Sequence, residues 1–113
     1  MPFVQLNLGK KLNEEQKNSL QLKVGEIMPL ISGKNIKNTI QQIIDDCSLY
    51  SGGEKIEGAY VEARLYLPAT KEDKTAWSNA ISQLLIEDLG IKAEQIYLNI
   101  VEMTEWGTGK GYR

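Results

Sequence analysis

Apolar and polar residues alternate in three stretches of this chain and recur at helical spacing in two others. Near the start, Val4, Leu6 and Leu8 alternate with Phe3, Gln5 and Asn7, the period of a half-buried strand. Asn13-Glu14-Glu15-Gln16 then reads as an N-cap with a capping-box glutamine. Leu20, Val24, Ile27, Met28 and Ile31 give the following helix one apolar face. Pro29 should bend or loosen its last turn, and Gly33 is the expected C-cap. Thr39 to Ile44 is ambiguous in period, but its β-branched content favours a strand. Asp45 to Tyr50 reads as a turn with one short helical twist, ended by Gly52-Gly53.

The clearest strand follows. Ala59, Val61, Ala63, Leu65 and Leu67 alternate with Tyr60, Glu62, Arg64 and Tyr66, and Pro68-Ala69 stops the run. Thr70-Lys71-Glu72-Asp73 resembles a capping box with Asp in place of Glu. Ala76, Trp77, Ala80, Ile81, Leu84 and Leu85 form the stripe of a second helix, capped by Gly90. A turn over 91–95 leads to the last long strand, Ile96 to Met103. In the tail, 104–113, Gly107, Gly109 and Gly111 predict a loop or short edge hairpin. Having no core of its own, it is expected to pack on another subunit.

The pattern repeats. The offset that separates Gly33 from Gly90 also carries Pro2 onto Ala59. The chain therefore reads as β-α-β twice, with parallel pairing inside each unit. The predicted class is α+β: a duplicated β-α-β fold with a four-stranded mixed sheet and both helices on one face. A single domain, 1–113, divides into halves of about 2–57 and 59–103 plus the tail. The face bearing Tyr60, Glu62, Arg64 and Tyr66 is left uncovered, and burying it calls for another subunit.

Composition narrows the chemistry. The 113 residues are 42% hydrophobic and 25% charged, ordinary for a globular domain. A net charge of −2 argues against nucleic acid or an acidic membrane as the main partner. Cys47 is the single cysteine and there is no histidine. Intrachain disulfides, histidine-based triads and zinc clusters are thereby excluded. No signal-like segment opens the chain and no apolar run nears about 18 residues. A cytoplasmic protein is the expectation.

The candidate chemistry starts at Pro2. Initiator methionine is normally trimmed before proline, which would leave Pro2 with a free secondary amine at the head of the first strand. Burial among apolar groups disfavours the charged form and brings such an amine toward use as a general base near neutral pH.

The Met-Pro start, the duplication and the uncovered sheet together resemble the tautomerase superfamily. The nearest likeness is to its macrophage migration inhibitory factor and D-dopachrome tautomerase family. The stretch from Gly33-Lys34 to Gly52-Gly53 carries it, as does the one from Glu87-Asp88-Leu89-Gly90-Ile91 to Gln95-Ile96-Tyr97-Leu98-Asn99. The resemblance implies a homotrimer with sites between subunits. Pro2 matches the catalytic proline, and Lys34 the lysine that holds a substrate carboxylate or carbonyl. Tyr97 and Asn99 match residues given by the neighbouring subunit. Phe3, Leu65 and Tyr66 match pocket lining, and Trp106 stands in for an aromatic wall from the neighbour's tail. The implied activity is keto–enol tautomerisation of a small 2-keto acid, arylpyruvate-like, with neither metal nor organic cofactor. The cytokine branch's CxxC is missing, and Lys10 and Lys11 stand where dehalogenase branches carry arginine.

Each residue also has a plainer reading. Lys34 suits the end of a helix for dipole reasons alone, and Tyr97 suits a half-buried strand. Glu62 and Arg64 lie on one strand face and are expected to pair across subunits, with Arg64 alternatively a second carboxylate clamp. Two other functions remain open. One is a signalling or binding trimer with little catalysis. The other is a ferredoxin-like binding module, which shares the β-α-β-β-α-β order.

Overall fold

The computed structural model describes residues 2–113; Met1, on whose removal the free amine depends, lies outside them. Strand β1 (Phe3–Leu8) leads into helix α1 (Glu14–Ile27) and strand β2 (Ile40–Ile44). A small hairpin of β3 (Leu49–Ser51) and β4 (Glu54–Ile56) follows. Then come strand β5 (Ala59–Tyr66), helix α2 (Lys71–Leu89) and strand β6 (Ile96–Met103). A terminal hairpin of β7 (Gly107–Thr108) and β8 (Gly111–Tyr112) ends the chain.

The main sheet runs β2-β1-β5-β6. Strands β1 and β2 are parallel, as are β5 and β6, and β1 joins β5 antiparallel, the mixed sheet that the duplication predicts. A ferredoxin-like split β-α-β unit would place another strand between each parallel pair. Here the parallel partners are adjacent, so that alternative fails.

One face of the sheet makes the core. Val4, Leu6 and Leu8 of β1 and Val61, Ala63 and Leu65 of β5 are buried against Leu20 and Val24 of α1. Helix α2 adds Trp77, Ile81, Leu85 and Leu89, one apolar row at i, i+4 spacing. Burying each large side chain contributes about 1.5–3 kcal/mol. Ala76, expected in that row, is exposed, because the row is narrower than the stripe read from the sequence. On the opposite face Tyr60 and Tyr97 remain 41% and 46% exposed, so this face is uncovered within one chain.

Several local expectations are corrected. The α1 capping box is present, Asn13 with Gln16, but the α-helix stops at Ile27 and Met28–Leu30 tightens into a 3-10 turn. Pro29 has no N–H to continue the helical ladder, so the C-cap is Met28 and Gly33 lies beyond it. Only half of the second box forms. Thr70 caps Asp73 N–H at 3.1 Å, while the Asp73 carboxylate accepts from Ser32 N–H at 3.1 Å. No helical twist follows Asp45. Gly52 and Gly53, both at positive φ, make the two-residue turn of the β3–β4 hairpin instead. Leu67, read as the last inward residue of its strand, turns to φ 72 and is 52% exposed.

Candidate functional site

Strand β1 begins at the end of the sheet where β5 and β6 finish. The register sets Phe3 between Ile40 and Arg64, and Tyr66 beside Met103. Pro2, just before β1, is buried, and its carbonyl accepts the Ile40 N–H at 2.9 Å. Proline suits this first position because no ladder donor is required of it.

Lys34 reaches the same end from the connection between α1 and β2. Its ammonium donates to the Tyr66 carbonyl at 3.4 Å, a long bond that leaves most of its donor capacity uncommitted. Among the described residues it enters no ion pair. The Tyr66 ring meets Trp106 with centroids 6.4 Å apart at a tilt of 50°. Trp106 is fixed by backbone bonds to and from Arg113, at 2.8 and 2.9 Å, that close the terminal hairpin. The tail thus makes a hairpin, as one reading of its glycines expects, and rests on Tyr66 of its own chain.

Phe3, Ile40, Arg64, Met103, Glu105, Trp106, Gly107 and Tyr112 line an open cleft of 390 Å³. Its walls are mostly apolar or aromatic, with one cation, Arg64, and one anion, Glu105. The Arg64 Nε donates to the Glu62 carboxylate at 2.7 Å. This pair, expected across subunits, forms within one chain because positions two apart share a strand face. Leu65 does not line the cleft. Strand alternation turns it to the helices, where it is fully buried.

Tyr97 and Asn99 stand apart from this group. They pair with Tyr60 and Glu62, toward the start of β5 and β6. Extending the register sets Pro2 level with Leu65 and Glu102, so Tyr97 lies about 16 Å away along the strands, at roughly 3.3 Å per residue. One chain therefore gathers Pro2, Phe3, Lys34, Arg64, Tyr66 and Trp106 and leaves Tyr97 and Asn99 at the other end. Ile40, Met103, Glu105 and Tyr112 escaped the sequence reading. The register that sets Ile40 beside Phe3 and the fold of the tail carry no local signal.

The carboxylates with shifted acidity lie in the frame. The Leu12 N–H at 2.8 Å, then Lys17, hold Asp45 below its ordinary 3.8 and tie the β1–α1 loop to the end of β2. A hydrogen bond from Lys74 lowers Glu102 below 4.5 and links β6 to α2. Among the described residues, no three His, Cys, Asp or Glu side chains come together as a metal site. No helix among them is long and apolar enough to cross a membrane.

No family model and no curated protein sequence matches the chain. Solved structures do. Leishmania major MIF2 superposes with a TM-score of 0.90 at 20% identity, over 100% of this chain and 97% of that one. A macrophage migration inhibitory factor-like protein from Entamoeba histolytica gives 0.87 at 24% identity, over 99% and 98%. Fused 4-OT, in a wild-type asymmetric trimer, gives 0.82 at 17%, over 95% and 92%. The chain shares its fold with macrophage migration inhibitory factor-like proteins and with fused 4-OT.

Proposed function

We propose that this protein is a cofactor-independent keto–enol tautomerase of small 2-keto acids, with arylpyruvates as the substrate class and Pro2 as the general base. The observation that carries the reading is that Pro2, Lys34 and an aromatic-walled cleft lined by Phe3, Arg64 and Trp106 lie at the same end of the sheet. With Met1 removed, the neutral Pro2 amine takes a proton from the carbon beside the carbonyl, and the resulting ammonium delivers it to the enolate oxygen; the same steps in reverse return the enol to the ketone. Lys34 holds the substrate carboxylate and steadies the charge that develops on the enolate. Phe3, Trp106 and Tyr66 provide the aromatic surface for the substrate's ring, and Arg64 offers its remaining nitrogens to a carboxylate.

The site is completed by a second copy of the chain. Tyr97 and Asn99 lie too far from Pro2 along their own sheet, yet they stand on the uncovered face. A homotrimer would bury that face and bring a neighbour's Tyr97 and Asn99 to Pro2, where their polar groups orient the carbonyl. The trimer of fused 4-OT, which has the same fold, supports this assembly.

Enol–keto exchange of an arylpyruvate, followed by ultraviolet absorbance, tests the reading. The protein's intact mass must first establish that Met1 is gone, and a Pro2→Gly variant is run beside it. Turnover that collapses in the variant is expected. Equal turnover in both would remove Pro2 from the mechanism.

A further inference from the structure

The connection that carries Lys34 is tied down more heavily than a surface loop needs. Asn35 and Asn38 cap each other, with N–H to side-chain oxygen distances of 3.0 and 3.1 Å. Asn38 also donates to the Gly33 carbonyl at 3.2 Å, and the Thr39 hydroxyl to the Asn35 carbonyl at 2.6 Å. These bonds make 33–39 a stiff arm, but they act within it and do not fix it to the rest of the molecule.

Ile36 does that. Its side chain lies against α1 where Gly25 has none. A Cβ built on Gly25 would fall 2.3 Å from Ile36 Cδ1, 2.5 Å from Cγ1 and 2.8 Å from Cβ. Rotation about χ1 could move the first two atoms away. It cannot move Cβ, so the arm itself would have to shift. Glycine within a helix is otherwise unfavourable relative to alanine, so the helix gains nothing from it. What lies two residues before Ile36 is Lys34, held over the Tyr66 carbonyl.

We propose that Gly25 and Ile36 form a socket and plug that position Lys34 for the substrate carboxylate, with Gly25 and Ile36 as positioning residues. The inference rests on the reading of Lys34 as the carboxylate-binding residue. Its energetic logic is that of orientation, in which small displacements of a binding group weaken productive binding steeply.

Two single substitutions test it. Gly25→Ala should raise KM for the arylpyruvate about tenfold while kcat stays within about twofold, because the arm is displaced and Pro2 is not. Ile36→Ala, which empties the socket and leaves the arm without its anchor, should raise KM in the same direction. Combining the two should not restore it, because the Ile36 Cβ that meets the added Cβ is still present. The arm can also be read without any substrate. Trypsin cleavage after Lys34 and Lys37 should quicken in Gly25→Ala and in Ile36→Ala alike. An unchanged cleavage rate in both variants overturns the socket, whatever the enzyme does. Quickened cleavage with an unchanged KM separates the arm from binding and overturns its functional role. A wild-type protein with no 2-keto acid turnover removes the parent reading, and with it the role assigned to the plug.

Discussion

The two β-α-β units are built on one plan and differ most where each helix returns to the sheet. The repeat offset carries Glu14 onto Lys71 and Ile36 onto Ala93, so α1 and α2 start in register, as do the 3-10 turns before β2 and β6. Yet α1 has 14 residues and α2 has 19. Helix α2 runs unbroken to Gly90, and the chain then buries Ile91 in the core. In the first unit Pro29 breaks the helix early, and residues 28–32 become a 3-10 turn and a bend that lead into the arm over 33–39. The same offset carries Lys34 onto Ile91. One copy keeps an apolar anchor, buried at 3% exposure, and the other presents a half-buried ammonium. A duplicated scaffold can give up packing in one copy because the other still closes its end of the core. The Pro2 and Ala59 positions match as well: both are buried at the head of a strand, Pro2 just before β1 and Ala59 at the start of β5.

The sharpest way to test this asymmetry is to remove what only one copy has. Pro2→Gly, assayed as exchange of an arylpyruvate, should lower kcat/KM by about 10²–10⁴, the usual contribution of a positioned general base. The rate should rise with pH as the amine loses its proton, because only the neutral form can act as a base. Exchanging the paired positions comes next. Ile91→Lys places an unpaired charge in the core and should destabilise folding by about 3–5 kcal/mol, read by urea titration. Lys34→Ile should leave the midpoint within about 0.5 kcal/mol. Its kcat/KM should fall about tenfold or more through the lost carboxylate contact. If both substitutions are equally destabilising, Lys34 belongs to the packing and the asymmetry dissolves.

Smaller effects probe the frame. Asn13→Ala removes the side-chain half of the α1 capping box and should cost about 1 kcal/mol, visible as a lower thermal midpoint. Asp45 is a pH probe of the same region. Its folded-state acidity lies below 3.8, chiefly because the Leu12 N–H and Lys17 favour the carboxylate. A depressed value stabilises the fold above 3.8, and the contribution is lost as pH falls through the folded value. Wild type and Asp45→Asn should therefore differ at neutral pH and converge below about pH 3.8. A gap that persists into strong acid would show that the carboxylate's charge is not what matters there.

Period and capping chemistry are local, and they determined most of this fold from the sequence alone. The alternation of Val4, Leu6 and Leu8 and of Val61, Ala63 and Leu65 is the buried face of the sheet. Asn13 with Gln16 starts α1, Gly90 ends α2, and the repeat set the parallel pairs. Pro2 and Lys34 could be singled out as well, because a proline at the head of a strand and a lysine after a helix are visible in one dimension.

Tertiary structure decided what depends on contacts between distant segments. It turned Leu67 out of its strand, made a hairpin of 49–56, and joined Glu62 to Arg64 within one chain. It brought Ile40, Met103 and Tyr112 around Phe3. It also set Tyr97 and Asn99 at the far end of the sheet from Pro2. Strand register follows from the pairing of whole faces, which no single residue encodes. The docking of Ile36 into the gap at Gly25 likewise needs two segments to meet before either residue has meaning.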